Sequence, residues 1–289
     1  MARFSWTDAC RLDPTLASLT HFSGCEPKFA ESLLGGLTNR CWLIHAHDQT
    51  RYVWRPHSPV SEAFAISRYQ EAQILRAIQP SGLAPQVIAV NDHGLLVEWI
   101  KGETQWHHLT YHNLIELLAL IHQLNVTSYP LSQFDYTARV DHYWQQLPLA
   151  LRTPQREAQY QRWRLVPELQ PLAVALCHCD LGGYNIILSD TGFRVIDWEY
   201  AALADPRFDL ALTIQNSGAS AVECVEYYCQ LRQIEAVSEW LCAVEAWQPR
   251  TQMMAMLWYL LAFHLWGNED YLQQAATLEL ALTAIRPDN

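Results

Sequence analysis

One stretch of the sequence decides the fold and the chemistry of this chain. It reads His178-Cys179-Asp180-Leu181-Gly182-Gly183-Tyr184-Asn185, runs on through the apolar triplet 186–188, the turn 189–192 and a second apolar run, and ends at Asp197. Two apolar runs joined by a short turn predict a β-hairpin. Because the first strand starts beside the end of the second, we expect Asn185 and Asp197 to lie close together. Asp180 lies one loop upstream and can point into the same space.

These residue types favour phosphoryl transfer. Mg²⁺ prefers one or two carboxylates, other oxygen ligands and phosphate oxygens, and Asn185 with Asp197 would supply the protein's share. The carboxylate of Asp180 would orient a hydroxyl nucleophile and take its proton. The spacing from His178 to Asn185 matches the kinase catalytic loop, H-R-D-L-x-x-x-N, with Cys179 in place of arginine. A polar loop with a structural aspartate is the alternative, and the hairpin ending at Asp197 argues against it.

The runs 195–201 (Val-Ile-Asp-Trp-Glu-Tyr-Ala) and 205–211 (Asp-Pro-Arg-Phe-Asp-Leu-Ala) resemble the aminoglycoside phosphotransferase/choline kinase superfamily. Within it, Trp-Glu-Tyr-Ala is similar to the choline, ethanolamine and thiamine kinase branch. The resemblance covers roughly residues 30–275 as an order of elements and is specific only at 178–211. It implies an α+β, protein-kinase-like two-lobe fold, with a small antiparallel β lobe carrying one main helix and a larger, mostly helical lobe.

The resemblance also assigns roles by position. It makes Asp180 the catalytic base, Asn185 and Asp197 the Mg²⁺ ligands, and Asp209 a brace for the backbone of the catalytic loop. His178 would support the geometry of that loop. Ser/Thr protein kinases usually carry a lysine where this chain has a glycine at position 182, which indicates a small-molecule acceptor.

The nucleotide side is less specific. The glycine turn with Gly35, Gly36, Thr38 and Asn39 stands where the family covers the phosphates of ATP, although an ordinary tight turn fits as well. Arg55 replaces the family's strand lysine, and a guanidinium can bind two phosphate oxygens. A solvated charge at the strand end is its alternative.

Three further positions complete the predicted nucleotide site. Glu71, on the helix after the strand of Arg55, is the expected acidic partner of that arginine. Backbone groups of Glu98 and Ile100, in the connector between the lobes, are expected to hold adenine.

The acceptor is predicted to be a small cationic alcohol. Glu199 is two residues beyond Asp197, and its counterpart in choline-kinase-like relatives faces the substrate cation. Twelve tryptophans and a formal net charge of −11 suit a pocket that attracts a cation and stacks on it. Trp258, Tyr259 and Trp266, on an apolar C-terminal helix, are candidate walls, while aromatic residues at helical spacing also serve as ordinary core.

Periodicity places the boundary between two parts near residue 100. Residues 1–100 form the β-rich nucleotide-binding part, with a helical extension at 1–27 and a helix over Ser61 to Ile78. Residues 101–289 form the helical part with the catalytic loop and the acceptor site. Pro249 is expected to interrupt the helical segment near the end of this part.

Composition argues against several classes of function and location. Thirty acidic against nineteen basic residues argue against a nucleic-acid partner, and the longest apolar run, Met253 to Trp266, is too short to span a membrane. Without a secretory signal before them, the eight cysteines are expected to be reduced in a cytoplasmic protein. The sequence leaves the oligomeric state open.

The resulting prediction is an ATP- and Mg²⁺-dependent kinase for a choline-, ethanolamine- or thiamine-type alcohol. An aminoglycoside or sugar kinase is the alternative within the class. A non-catalytic nucleotide-binding adaptor on the same fold, or a tryptophan-rich interaction domain without nucleotide, is the alternative outside it.

Overall fold

The computed structural model describes residues 2–19, 27–33, 41–104 and 109–285. Its strands are β1 (Arg3–Ser5), β2 (Pro27–Ser32), β3 (Trp42–Ala46), β4 (Arg51–Pro56), β5 (Val87–Asn91), β6 (Gly94–Glu98), β7 (Glu103–Thr104), β8 (Ala175–Cys177), β9 (Ile186–Ser189), β10 (Gly192–Val195) and β11 (Ala202–Ala204). Its helices are α1 (Trp6–Leu12), α2 (Pro59–Ala63), α3 (Arg68–Ile78), α4 (Tyr111–Ile121), α5 (Tyr136–Gln146), α6 (Pro154–Trp163), α7 (Pro206–Ser217), α8 (Ala221–Arg232), α9 (Val237–Trp266) and α10 (Glu269–Ala284). The predicted α+β class is confirmed.

The chain divides into two compact units. The first unit comprises Met1–Trp106, Asn125–Leu131 and Tyr184–Tyr200, and the second comprises His107–Leu124, Ser132–Gly183 and Ala201–Asn289. The division differs from a single boundary at residue 100, because the hairpin 184–200 groups with the β-rich unit. Its strand β9 pairs with β7, which directly follows the connector.

The first unit is built on an antiparallel sheet in the order β1-β2-β3-β4-β6-β5. Trp42 of β3 pairs in register with Trp54 of β4, and both side chains are fully buried. These indoles pack with small and aliphatic residues from the chain before β2, including Ala9 and Leu16. Burial of two tryptophans supplies much of the apolar contact area of this unit.

The N-terminal extension is helical only in part, so that prediction is corrected. Arg3–Ser5 form a strand that pairs with β2, and Ser5 then caps α1 by accepting a hydrogen bond from the N–H of Asp8. Asp13 accepts from Trp42 Nε1 at 2.8 Å, which fixes the extension onto the sheet. A three-residue strand carries too little periodicity to be distinguished from a helix start.

The helix predicted over Ser61 to Ile78 is two helices, α2 and α3. Ala65 has φ of 54°, a left-handed conformation that ends α2. Ser67 then opens α3 by accepting from the N–H of Gln70. Apolar spacing alone continues across such a break and does not reveal it.

The predicted hairpin is present as β9 and β10, paired in antiparallel register from Ile186↔Val195 to Ser189↔Gly192. Gly102, just before β7, allows the third strand to approach, since a Cβ there would lie 2.3 Å from the carbonyl oxygen of Leu188. The N–H of Val195 also donates to the carbonyl of Leu83 at 2.7 Å. These contacts fix the hairpin within the first unit.

The second unit is organised by the long helix α9, which packs against α7, α8 and α10. Pro249 lies inside α9 without ending it, so the predicted interruption there is wrong. Strands β8 and β11 pair with each other, and β8 contacts α7. Strand β11 was not predicted, because a strand of three residues gives too short a pattern. Among the described residues, no helix is long and apolar enough to cross a membrane.

Candidate active site

Asn185 and Asp197 stand at the two ends of the β9–β10 hairpin. The N–H of Ile196 donates to the carbonyl oxygen of Asn185 at 2.9 Å, so the backbone on either side of the pair is held together. Asn185 is buried, whereas the side chain of Asp197 is 29% exposed. An amide and a carboxylate are hard oxygen donors, so this pair fits a magnesium ion on the chemistry of its donor set.

Asp197 has a left-handed backbone, with φ of 65°. A residue other than glycine costs free energy in this region and is enriched there at functional sites. Its Oδ1 accepts a hydrogen bond from Nη2 of Arg55. The carboxylate predicted to bind metal is thus joined to the arginine predicted to bind phosphate.

Arg55 belongs to a buried charge cluster, which also contains Arg68, Glu71, Asp197 and Glu199. Its Nε lies 2.9 Å from Oε1 of Glu71, which is the predicted ion pair, although the N–H is not aimed at that oxygen. Burial alone would lower the pKa of Arg55, but the charges of Asp197 and Glu71 more than offset it and raise the pKa well above its usual value. Arg55 therefore stays cationic.

Glu199 does not open toward an acceptor, contrary to the sequence-based expectation. Its side chain is 3% exposed, and Oε2 accepts from Arg55 Nη2 at 2.7 Å and from Arg68 Nη1 at 2.9 Å. A buried carboxylate needs cationic partners, and two guanidinium groups meet that need here. The sequence indicated Glu199 as a residue close to Asp197, but it does not determine the direction in which the Glu199 side chain points.

Residues 178–183 of the loop that is predicted to be catalytic lie in the second unit, and Asp209 from α7 braces them. Asp209 is fully buried; its Oδ2 accepts from the N–H of His178 at 2.8 Å, and its Oδ1 accepts from the N–H of Cys179 at 2.9 Å. These bonds match the brace predicted for Asp209. They hold Cys179 at φ of 62°, a second left-handed residue in the motif.

Cys179 occupies the arginine position of the kinase motif. Burial, and then the charge of Asp209, raise the pKa of its thiol well above the usual value. It is therefore a neutral and buried group. Cysteine in place of arginine removes a positive charge from this position, while the hydrogen bonds from the backbone to Asp209 are still made.

His122, at the end of α4, is a member of this site that the sequence analysis missed. Its Nε2 lies 3.1 Å from Asp209 Oδ2, and its Nδ1 lies 2.7 Å from the hydroxyl of Tyr228. Because an ionised aspartate oxygen only accepts, Nε2 of His122 donates in this contact, and its Nδ1 lies within hydrogen-bond distance of the tyrosine hydroxyl. In the sequence, His122 is only a histidine after an apolar helix stripe, and nothing in that pattern predicts its contact with Asp209.

A group of aromatic residues from α9 and α10 includes Tyr259, on which the charge of Asp180 acts. Burial, and then the negative charge of Asp180, raise the pKa of Tyr259. Trp258, Trp266 and Tyr271 join Tyr259 with ring centroids 5.3–6.3 Å apart, and all four rings are partly exposed. We call these four residues the aromatic cluster; it contains both tryptophans predicted as acceptor walls.

The remaining predicted nucleotide contacts are only partly described. Gly35, Gly36, Thr38 and Asn39 lie outside the described residues. The N–H of Glu98 donates to the carbonyl of Gln86 at 2.9 Å and its carboxylate pairs with Arg194 at 3.2 Å, so this N–H is engaged within the first unit. Ile100 is buried directly after β6. The adenine contact of these two residues stays a prediction.

Comparison with known proteins agrees with this geometry. The model of the phosphotransferase enzyme family matches residues 30–243. The thiamine kinase of Escherichia coli O17:K52:H18 is 26% identical over 245 residues, which is 83% of this chain and 85% of that protein.

Solved structures with the same fold include two at low sequence identity. Choline kinase LicA from Streptococcus pneumoniae superposes with a TM-score of 0.70 at 16% identity, over 95% of this chain and 99% of that one. A choline/ethanolamine kinase family protein from Mesorhizobium loti superposes with a TM-score of 0.69 at 22% identity, over 96% and 94%. At these identities the likeness establishes the fold. The kinase-like fold and the family resemblance seen in the sequence are both confirmed.

Proposed function

Because this chain belongs to the phosphotransferase enzyme family, we propose that it transfers phosphate from ATP to the hydroxyl of a small cationic alcohol. The observation that carries the proposal is the loop before Asp180, whose backbone is fixed by Asp209, in the same unit as the aromatic cluster. A carboxylate can orient a hydroxyl and take its proton, and aromatic faces bind cations. The two features together suit an acceptor that has both groups.

The first unit supplies the phosphate side of this reaction. Arg55 stays cationic and is held by Glu71 and Glu199, so its guanidinium is pre-organised for phosphate oxygens. Asn185 and Asp197 would hold Mg²⁺, and the ion would neutralise charge on the transferring phosphate when bound. Asp197 is the exposed member of the charge cluster, which is where an incoming ion reaches it.

The second unit supplies the acceptor side. Asp209 fixes the backbone before Asp180 through His178 and Cys179, so the carboxylate of Asp180 starts from a rigid loop. In the proposed reaction Asp180 accepts the proton of the acceptor hydroxyl as its oxygen bonds to the γ-phosphorus of ATP, and the bond from that phosphorus to the departing ADP breaks. Fixing this geometry in advance removes orientational entropy from the barrier.

The charge of the acceptor follows from the second unit's aromatic rings and the chain's overall charge. Each cation–π contact in a desolvated site contributes on the order of 1–2 kcal/mol. The formal charge of −11 favours the approach of a cation over that of an anion. The relatives named thiamine kinase make thiamine the first acceptor to test, followed by choline and ethanolamine.

The test is an acceptor screen with Mg-ATP. Thiamine, choline, ethanolamine, glucosamine and kanamycin are each incubated with the protein, and ADP formation is measured together with the phosphorylated product. We expect product from one of the first three acceptors and a loss of that product without Mg²⁺. Product from only glucosamine or kanamycin, which also carry ammonium groups, would overturn the assignment of a thiamine-, choline- or ethanolamine-type acceptor.

A thermal-shift measurement separates the kinase from an adaptor. Stabilisation by Mg-ATP without ADP formation on any acceptor would favour a non-catalytic nucleotide-binding protein. Absence of any shift would argue against nucleotide binding altogether. Either result would contradict the proposal.

A further inference from the structure

The charge cluster contains an arginine that neither the sequence motifs nor the family resemblance assign. Arg68 is the first residue of α3, directly after the capping residue Ser67, and its side chain is 2% exposed. Nη1 lies 2.5 Å from Oε2 of Glu71 and 2.9 Å from Oε2 of Glu199, and Nε donates to the carbonyl of Pro56 at 3.4 Å. One nitrogen thus bridges two buried carboxylates that belong to distant parts of the sequence.

The same two carboxylates hold Arg55. Glu71 meets Arg55 through its other oxygen, Oε1, and Glu199 meets it through Oε2. Glu71 and Glu199 therefore form two bridges between the same pair of arginines. Arg55 also reaches the partly exposed Asp197, whereas the partners of Arg68 are all buried.

The charges explain why a second cation is needed. Three carboxylates and two guanidinium groups leave the cluster with one negative charge. Without Arg68, Glu71 and Glu199 would have to share Arg55 with Asp197, and three anions would surround one buried cation. Like charges in a desolvated site repel strongly. Such repulsion would displace the carboxylates or draw Arg55 away from the phosphate position.

We propose that Arg68 is a positioning residue that holds Glu71 and Glu199 so that Arg55 is presented to the phosphates of the nucleotide. Arg68 acts through these carboxylates. This inference rests on the proposed nucleotide-dependent function. The Nη2 group of Arg68 is buried and makes no hydrogen bond among the described residues.

The experiment measures Mg-ATP binding by calorimetry with no acceptor present, which separates the nucleotide site from acceptor chemistry. The variants are Arg68→Met, Arg68→Lys and the double variant Arg68→Met/Glu199→Gln. Arg76→Met is the matched control, because Arg76 lies on the same helix and is exposed.

We expect Arg68→Met to weaken binding at least about tenfold, and Arg68→Lys, which keeps the charge, to stay within about threefold of the parent. The double variant removes one carboxylate with the arginine, so it should recover most of the loss. Arg76→Met should bind like the parent. A purely packing role of Arg68 predicts no recovery in the double variant, and that result would overturn the inference. Parent-like binding by Arg68→Met would do the same.

Two outcomes keep this inference distinct from the proposed function. If the parent protein fails to bind Mg-ATP, the proposed function falls, and the charge argument is then judged from melting temperatures. It survives if the double variant melts above Arg68→Met and fails if it does not. If Arg68→Met does not fold, Arg68→Lys and the double variant still decide between charge balance and packing.

Discussion

Arg55 and Asp197, which are 142 residues apart in the sequence, form an ion pair through Nη2 of the guanidinium. The pair joins a strand of the large sheet to the end of the β9–β10 hairpin within the first unit. The carboxylate of Asp197 would therefore serve two partners, Arg55 and the Mg²⁺ ion that it would hold. Glu71 and Glu199 hold the same guanidinium group.

Replacing Arg55 with Met is expected to raise KM for ATP on the order of 10–100-fold, because a buried charge-assisted contact to phosphate is lost. The KM for ATP of Arg55→Lys should lie between those of Arg55→Met and the parent, since lysine keeps the charge but lacks the two-pronged donor geometry of arginine. Steady-state kinetics at varied ATP measure the effect. Arg51→Met, on the same strand, is the control. Unchanged KM for ATP in Arg55→Met would contradict the assignment.

Replacing Asp180 with Asn is expected to lower kcat by at least about a thousandfold, because the acceptor hydroxyl loses the group that orients it and takes its proton. Binding of Mg-ATP should stay nearly intact. Turnover of the acceptor found in the screen and calorimetry with Mg-ATP measure the two effects. Asp190→Asn, in the exposed hairpin turn, should leave both unchanged. Near-normal turnover in Asp180→Asn would refute its role as base.

Replacing Asp209 with Ala should destabilise the fold by about 3–5 kcal/mol, since two backbone N–H groups and His122 lose a buried acceptor. In a chain of this size that cost lowers the melting temperature by roughly 6 °C or more. Asp209→Asn keeps one acceptor oxygen and should lose less. Thermal denaturation followed by circular dichroism measures both. Equal melting temperatures for parent and Asp209→Ala would contradict the brace.

Replacing Trp258 or Trp266 with Leu should raise KM for a cationic acceptor by about tenfold, because the apolar area is largely kept while the aromatic face is lost. KM for ATP should stay within about twofold of the parent in the same variants. A phenylalanine at either position should retain more affinity than leucine. Equal KM values for the acceptor in the Leu and Phe variants would show that the rings act as core packing.

The sequence by itself determined the hairpin and the order of its polar residues. Apolar runs, a four-residue turn and fixed spacing are local features, and they are sufficient to predict Asn185 and Asp197 at neighbouring ends of the two strands. The family resemblance, and not local spacing, predicted Asp209 as a brace and Glu71 as the partner of Arg55. Element types in long periodic segments were predicted correctly for the same local reason.

Only the tertiary structure decided where the long-range charges meet. Glu199 turns into the buried cluster because Arg55 and Arg68 both reach it, from a strand and a helix more than a hundred residues earlier in the chain. His122 joins Asp209 across 87 residues of sequence for a similar reason. Side-chain direction and the pairing of buried charges depend on packing between distant segments, and the spacing of residues within one segment carries no information about it.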